Sequence, residues 1–295
     1  MWVTFLSLPL FLAYTACTHS LTQTPRGASS RWSYASASPS LTEHDLKIDA
    51  VARDAAALAG AAIVKESKNI DRLYSVESKI GSRDIVTRTD KEAQDAIKET
   101  ILKAFPEHKF LGEEDVPPGA EASVRALQAL EAEPSLWIVD PIDGTTNFAH
   151  NIPLCGVIIA YAVSGEVVYG CIYDPYRDEY FTAFKGKGSY LNGKRISTCQ
   201  TTDLKSSVVC TGSPPNFKSL EACLRGTAAV SDKVRTMRML GSAAIMLSWI
   251  AVGRVTAYFE ADLNPWDLAA GALIILEAGG EVTDVFGEPY ILSTR

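Results

Sequence analysis

Hydrophobic and polar positions along the chain fall first into two stretches of helical spacing. Ser40-x-x-Glu43 is a capping-box pattern that opens a helix, and Leu46, Ala50, Val51, Ala55, Leu58 and Ala62 supply its apolar stripe. A loop through Ile80-Gly81-Ser82 leads to a second helix that starts at Thr89-Asp90. Its stripe is Ala93, Ile97, Ile101 and Phe105, and Pro106 stops it. The period then shortens. Lys109-Phe110-Leu111 predicts a strand running into the loop Gly112-Glu113-Glu114-Asp115, and a helix follows over about 121–132. Leu136-Trp137-Ile138-Val139 is a compact buried strand that ends at Asp140.

From Leu154 to Ile196 the pattern is that of antiparallel strands. Ser164-Gly165 is a turn between two of them, Asp174-Pro175 starts another turn, and Asn192-Gly193 is the strongest hairpin signal. Beyond it, Ser207 to Thr211 predicts a strand, about 217–228 a helix, Gly241 to Val252 a helix, and Val255 to Phe259 a strand. Asn264-Pro265-Trp266-Asp267 opens a last helix with an Asn cap, Pro at the first position and an acid in the first turn; Gly279-Gly280 ends it. No period of 20–50 residues repeats, which argues against a solenoid or propeller. Helices, then a sheet-rich middle, then alternating helix and strand give an α+β fold with layered packing. A boundary near Thr201-Thr202 divides an N-terminal α+β half (about 43–200) from a C-terminal α/β half (about 201–295).

Composition changes this picture at one end. The 295 residues, 47% hydrophobic and 21% charged, suffice for a sizeable core, yet the first 42 contain no Asp or Glu and only Arg26 and Arg31 as charges. Val3 to Ala13 is an apolar run too short to span a bilayer comfortably, Ala13-Tyr14-Thr15-Ala16-Cys17 offers a small-residue cleavage site, and Thr18 to Ser40 is rich in Ser, Thr and Ala. Residues 1–42 therefore read as a targeting presequence, with a disordered tail or a misplaced start as the alternative. The remaining cysteines (Cys155, Cys171, Cys199, Cys210 and Cys223) are odd in number and widely spaced, which fits neither a disulfide framework nor a zinc site. Free thiols suit a reducing compartment. The expected location is an organelle interior of the plastid kind, with cytoplasm or secretion as alternatives, and no stable membrane span is expected in the mature protein. A net charge of −7 without any Lys/Arg-rich run argues against nucleic acid as a partner.

The acids carry the candidate chemistry. Glu113 and Glu114 follow a glycine at a strand end, Asp140 and Asp143 bracket a proline turn, Glu260 closes a strand, and Asp267 lies in the first turn of a helix. Carboxylates at strand and helix ends can converge on one cleft, and an open cluster of that kind suits hard cations, Mg²⁺ above all. Asp140 and Asp143, three apart around a turn, can face the same metal pair, with the Ile142 carbonyl as a further oxygen. Gly144-Thr145-Thr146 supplies backbone N–H groups at a helix start, a cradle for phosphate. Each piece alone has a plainer reading: Asp-Pro and Asp-Gly are turn formers, Glu113-Glu114-Asp115 a solvated loop, and Asp267 a complement to the helix dipole.

Together these segments resemble the inositol monophosphatase family of metal-dependent, lithium-sensitive phosphatases, over about Leu46 to Arg295. The resemblance is carried by Asp84-Ile-Val-Thr-Arg-Thr-Asp90, Gly112-Glu113-Glu114, the twelve residues from Trp137 to Phe148, Gly241-Ser-Ala-Ala244, and Trp266-Asp267 with Glu-Ala-Gly-Gly280. It implies a layered, alternating α/β/α/β sandwich of the sugar-phosphatase type. It further implies Glu113, Asp140 and the Ile142 carbonyl as ligands of one Mg²⁺, and Asp140, Asp143 and Asp267 as ligands of a second. Glu113 would help to hold a third, looser ion. Thr145 pairs with Asp90 to position a water, the Gly144 and Thr145 amides hold phosphate, and Gly241, Ser242, Ala243 and Glu260 contact polyol hydroxyls. The implied reaction is hydrolysis of an inositol monophosphate by metal-activated water, and the implied assembly a homodimer. Relatives usually continue past the position of Arg295 with a strand and a helix, so either a shortened chain or unusual C-terminal packing is expected.

Other signals lead elsewhere. Gly188-x-x-x-x-Gly193-Lys194 approaches a phosphate loop, but Arg195 stands where Ser or Thr is required and the segment is a hairpin. There is no nucleophile elbow, the four histidines lack metal spacing, and the cysteines read as buried filler. Alternative substrates are galactose 1-phosphate, fructose 1,6-bisphosphate, histidinol phosphate or a 3′-phosphonucleotide. A different class altogether is a non-catalytic relative that only binds a phosphorylated ligand.

Overall fold

The computed structural model of the chain describes residues 40–68, 76–78 and 85–294. The presequence up to residue 39, the Ile80-Gly81-Ser82 loop, Asp84 and Arg295 lie outside the described residues. The first helix, α1 (Glu43–Glu66), is capped by Thr42, whose hydroxyl accepts from the Asp45 N–H while the Asp45 carboxylate accepts from the Thr42 N–H. The cap is thus two residues later than the Ser40-x-x-Glu43 reading. Its buried face differs too. Ile48, Ala52, Ala55, Ala56, Ala59 and Ile63 are inside, whereas Leu46 and Leu58 are more than half exposed and Ala50 faces solvent. Alanine and leucine occur all round this helix, so spacing alone did not select a face; small residues lie inward because α1 approaches the sheet closely. A Cβ on Gly60 would come within 2.4 Å of the Tyr173 ring.

A short antiparallel pair, β1 (Val76–Ser78) and β2 (Ile85–Thr87), precedes α2 (Arg88–Ala104). In α2 the expected stripe is inside: Ala93, Ile97, Ile101 and Phe105 are buried. The main sheet has seven strands in the order β3-β4-β5-β6-β7-β8-β9. These are β3 (Lys109–Gly112), β4 (Leu136–Asp143), β5 (Gly156–Val163), β6 (Glu166–Asp174), β7 (Glu179–Phe184), β8 (Gly188–Leu191) and β9 (Lys194–Arg195), with α3 (Ala120–Leu130) crossing between the parallel neighbours β3 and β4. The remaining pairs are antiparallel, and two of the turns, Ser164-Gly165 and Asn192-Gly193, hold both residues at positive φ as tight hairpins require.

This sheet is covered on both faces. Trp137, Val139, Val157, Ile159 and Tyr161 pack with α1 and α2. Their neighbours Leu136, Ile138, Ile158, Ala160 and Ala162 pack with α6 (Ala243–Ala251) and α7 (Pro265–Glu277). Alternate residues of one strand thereby enter different cores, and strands buried on both faces read as continuous apolar runs. Beyond α6 and α7 lies a smaller parallel sheet, β11-β10-β12, of β11 (Thr236–Arg238), β10 (Val208–Thr211) and β12 (Ala257–Phe259), flanked by α5 (Phe217–Val230). The order of layers is helix, sheet, helix, sheet, as expected, with α5 on the outside. Among the described residues no helix is long and apolar enough to cross a membrane.

Candidate active site

The densest acidic segment is not a turn after a strand but part of one. β4 runs through to Asp143, and its pairing with β5 shifts register between Asp140 (opposite Ile158) and Asp143 (opposite Gly156). Pro141 has no N–H to give the ladder, and an irregularity there accommodates it. Residues three apart on a regular strand point to opposite faces; the register shift lets Asp140 and Asp143 serve one side. An Asx-type bond from the Ile142 N–H to Asp140 Oδ1 (3.0 Å) fixes the bend. Gly144 then takes a left-handed conformation (φ 88°) and caps the short α4 (Thr145–Ala149). A side chain there would meet the Leu154 and Gly241 carbonyls at 3.0 and 3.1 Å.

Asp267 arrives from the second half of the chain, at the third position of α7, where its carboxylate accepts the Asn264 N–H at 2.6 Å. Carboxylate oxygens of Asp140, Asp143 and Asp267 all lie within 4.8 Å of one another, and all three residues are buried or nearly so. Glu113 opens a 3-10 turn (Glu113–Asp115) after β3 and lines the same cleft.

Burial first, and then the charges of Glu113, Asp143 and Asp267, raise the Asp140 carboxyl well above its ordinary range. Burial and Glu113 do the same to Asp267. Asp143 rises only to about 6: burial pushes it up, while the Ser242 hydroxyl and the Ala243 and Ala244 N–H groups donate to it and hold it down. Buried like charges this close to one another cost free energy until a cation sits among them, and an all-oxygen, carboxylate-rich set matches a hard divalent ion. The donor set therefore fits Mg²⁺.

Beside the cluster, Thr145 Oγ1 lies 3.2 Å from Asp90 Oδ1 and 3.1 Å from the Ile142 carbonyl oxygen. Asp90 is itself buried behind Thr145, at the third position of α2, and its other oxygen accepts from the Thr87 N–H (2.8 Å) and hydroxyl (2.5 Å). Burial brings its pKa to about 7, against the Thr87 bonds and helped by the charges of Glu114 and Glu113. Glu260, after β12, is likewise raised to about 7 by burial, opposed by a bond from the Tyr258 hydroxyl.

Of the residues the sequence singled out, the cleft is lined by Glu113, Asp140, Ile142, Asp143, Gly144, Thr145, Glu260 and Asp267. Gly241, Ser242 and Ala243 stand directly behind two residues of its wall, Asp143 and Gly144. Ser242 caps α6, and with Ala243 it touches the Asp143 carboxylate. Sequence reasoning missed Thr87, Gln94 and Asn147. Gln94 is fully buried and its Oε1 accepts the Glu114 N–H at 2.8 Å, steadying the turn that carries Glu113. Asn147 donates to the Leu154 and Leu240 carbonyls, both at 2.7 Å, tying α4 to the segment before α6. Thr87 had a sequence signal in the T-x-x-D cap pattern with Asp90 and Asn147 in the run from Trp137 to Phe148, whereas Gln94 had none. Burial pushes the Cys155, Cys171 and Cys210 thiols up to about 12, which suits inert filler.

The Inositol monophosphatase family matches residues 45–295 of this chain. Inositol monophosphatase 2 of Solanum lycopersicum is 40% identical over 218 residues, covering 73% of this chain and 80% of the tomato protein. The fructose-1,6-bisphosphatase/inositol-1-monophosphatase of Thermotoga maritima is 37% identical over 217 residues, 74% of this chain and 78% of its own. Among solved structures, the extragenic suppressor protein suhB from Bartonella henselae superposes with a TM-score of 0.73 at 34% identity, covering 82% of this chain and 88% of that one.

Proposed function

The chain belongs to the inositol monophosphatase family, and from that premise we propose that it is a Mg²⁺-dependent phosphomonoesterase acting on a small polyol or sugar monophosphate, inositol monophosphate first. The observation that carries this reading is the buried set Asp140, Asp143 and Asp267, open to a cleft that Thr145 also lines. Asp140, Asp143, Asp267, Glu113 and the Ile142 carbonyl would hold the ions. When bound, Mg²⁺ neutralises phosphate charge and acidifies a water.

The protein's own groups do the rest. Thr145 Oγ1 accepts a proton from the attacking water as its own passes to Asp90 Oδ1. Asp90 Oδ1, 3.2 Å from that hydroxyl, is placed to take it. The Gly144 and Thr145 amides orient phosphate, Asp143 also borders the substrate, and Glu260 accepts from a hydroxyl of the leaving group. Ser242 and Ala243 act through Asp143, as its support, and the Gly241 carbonyl lies against Gly144.

The cleft wall favours monophosphates. Among its described residues are six acids, Asp262 with the five of the site, and no Lys, Arg or His. Among the described residues a second phosphate would meet no cationic side chain there, which supports ranking fructose 1,6-bisphosphate and phosphonucleotides below inositol and galactose monophosphates. We also take residues 43–295 as the catalytic unit of a lithium-sensitive homodimer, and 1–42 as an organelle presequence.

The test is phosphate release from a panel led by inositol 1-phosphate, with and without Mg²⁺, for this protein and Asp140→Asn. Mg²⁺-dependent release that the variant loses is the expected result. Ligand binding without release from any substrate, by folded protein, would replace the enzyme with a binding protein.

A further inference from the structure

Glu260 sits in a seat built by Gly212 and by Tyr258, whose ring is part of the hydrophobic core. In the small parallel sheet Val209, Cys210 and Thr211 pair with Ala257, Tyr258 and Phe259. One more step along that register sets Gly212 beside Glu260. A Cβ built on Gly212 would fall 1.7 Å from the Glu260 carboxyl carbon and Oε2 and 1.9 Å from Oε1. The carboxylate therefore lies flat against the Gly212 backbone, in space that any other residue would fill. Tyr258, fully buried, donates its hydroxyl to Glu260 Oε2. No hydrogen bond to Oε1 is formed among the described residues, and Glu260 borders the cleft.

We propose that Gly212 and Tyr258 are specificity-determining positioning residues, which clamp the Glu260 carboxylate so that Oε1 alone is offered to a hydroxyl of the leaving group. The inference rests on the phosphomonoesterase reading given above. A carboxylate free to turn could accept two vicinal hydroxyls, one on each oxygen; with Oε2 taken by a buried phenol, one hydroxyl at one place is read. A charge-assisted bond ordered in advance contributes to binding because its ordering is already complete before the substrate arrives.

The experiment compares two kinds of substrate in full-length protein with Mg²⁺: inositol 1-phosphate and galactose 1-phosphate, and p-nitrophenyl phosphate, whose leaving group has no hydroxyl to donate. In Tyr258→Phe, KM for the better polyol substrate is expected to rise about tenfold, with kcat/KM for the aryl phosphate changed less than about twofold. Gly212→Ala should do the same, since the three atoms nearest the added methyl are those of the Glu260 carboxylate, the far end of a flexible side chain. Introduced into Glu260→Gln, Tyr258→Phe should add no further loss. Equal losses on both substrate kinds would overturn the proposal and assign Tyr258 to packing; so would an unchanged KM for the polyol phosphates. Wild-type protein that cleaves the aryl phosphate but shows no effect of Glu260→Gln on the polyol phosphates defeats this inference and leaves the phosphatase standing. Wild-type protein that cleaves none of the three defeats both.

Discussion

At the residue scale the chain concentrates negative charge where burial makes it costly, and this has a measurable consequence. In the unfolded chain the aspartates titrate near about 3.9, whereas in the metal-free fold Asp143 titrates at about 6, Asp90 at about 7, and Asp140 and Asp267 well above 3.8. The folded state thus binds more protons than the unfolded one over this interval. The contribution of these groups to stability is fully present below the unfolded value and is lost as pH rises through the folded values. Thermal melts in chelator should therefore show a lower Tm at pH 8 than at pH 6, and saturating Mg²⁺ should raise the Tm most at pH 8. Asp140→Asn should flatten the pH slope in chelator and melt above the wild type at pH 8. A chelated protein whose Tm climbs from pH 6 to pH 8 would contradict the charge argument. Thr145→Val removes the hydroxyl between Asp90 and the cleft while keeping the shape. It should cost about 100-fold in kcat or more and leave the Mg²⁺-induced rise in Tm in place, since Thr145 contributes no carboxylate to the cluster.

Elements position these side chains by local rules that a sequence displays. Asp90 and Asp267 are both third-position acids whose carboxylates accept the N–H of the cap residue, so the cap reading and the site reading of Asp267 are both correct. The helix start at Asn264-Pro265 was legible to the residue, because cap, proline and acid act over three positions. The stop at Asp140 was wrong for a related reason: proline looks like a terminator, and only the partner strand β5 reveals that pairing resumes at Asp143. The wall behind Asp267 depends on close approach. On Gly170 of β6 a Cβ would lie 2.8 Å from the Ala270 carbonyl oxygen and 3.0 Å from its Cα. Gly170→Ala must push backbone, and should lower stability by about 1–3 kcal/mol, measured as a smaller urea midpoint. Because α7 also carries Asp267, the concentration of Mg²⁺ giving half-maximal activity should rise in the same variant. A variant with wild-type midpoint and Mg²⁺ response would show that α7 has room to give.

On the scale of the whole molecule the cleft belongs to neither half of the chain. Glu113, Asp140 and Asp143 come before Thr201, and Glu260 and Asp267 after it, while α6 and α7 from the second half cover Ile138, Ile158, Ala160 and Phe181 of the first. A fragment of residues 40–201 would leave that apolar face bare. It is expected to bind a hydrophobic dye and to lack a cooperative melt, with Mg²⁺-dependent activity returning only when residues 202–295 are supplied. A cooperatively melting 40–201 fragment would mean that the first half carries its own core.

By itself the sequence did not show the three-residue strands β1, β2 and β11 but determined the types of the longer elements, the acids and the family they resemble. These rest on interactions spanning three or four positions, or on residue runs too specific to arise by chance. Only the tertiary structure decided the face of α1 that is buried, because its alanines and leucines differ little until the Tyr173 ring and the sheet approach. It also decided that the three aspartates meet, and what holds them. The Ser242 bond to Asp143 joins residues 99 positions apart, and the bond from Thr145 to Asp90 joins residues 55 apart. The raised pKa values belong to the same level, since burial and neighbouring charge are properties of packed layers and not of any segment within them.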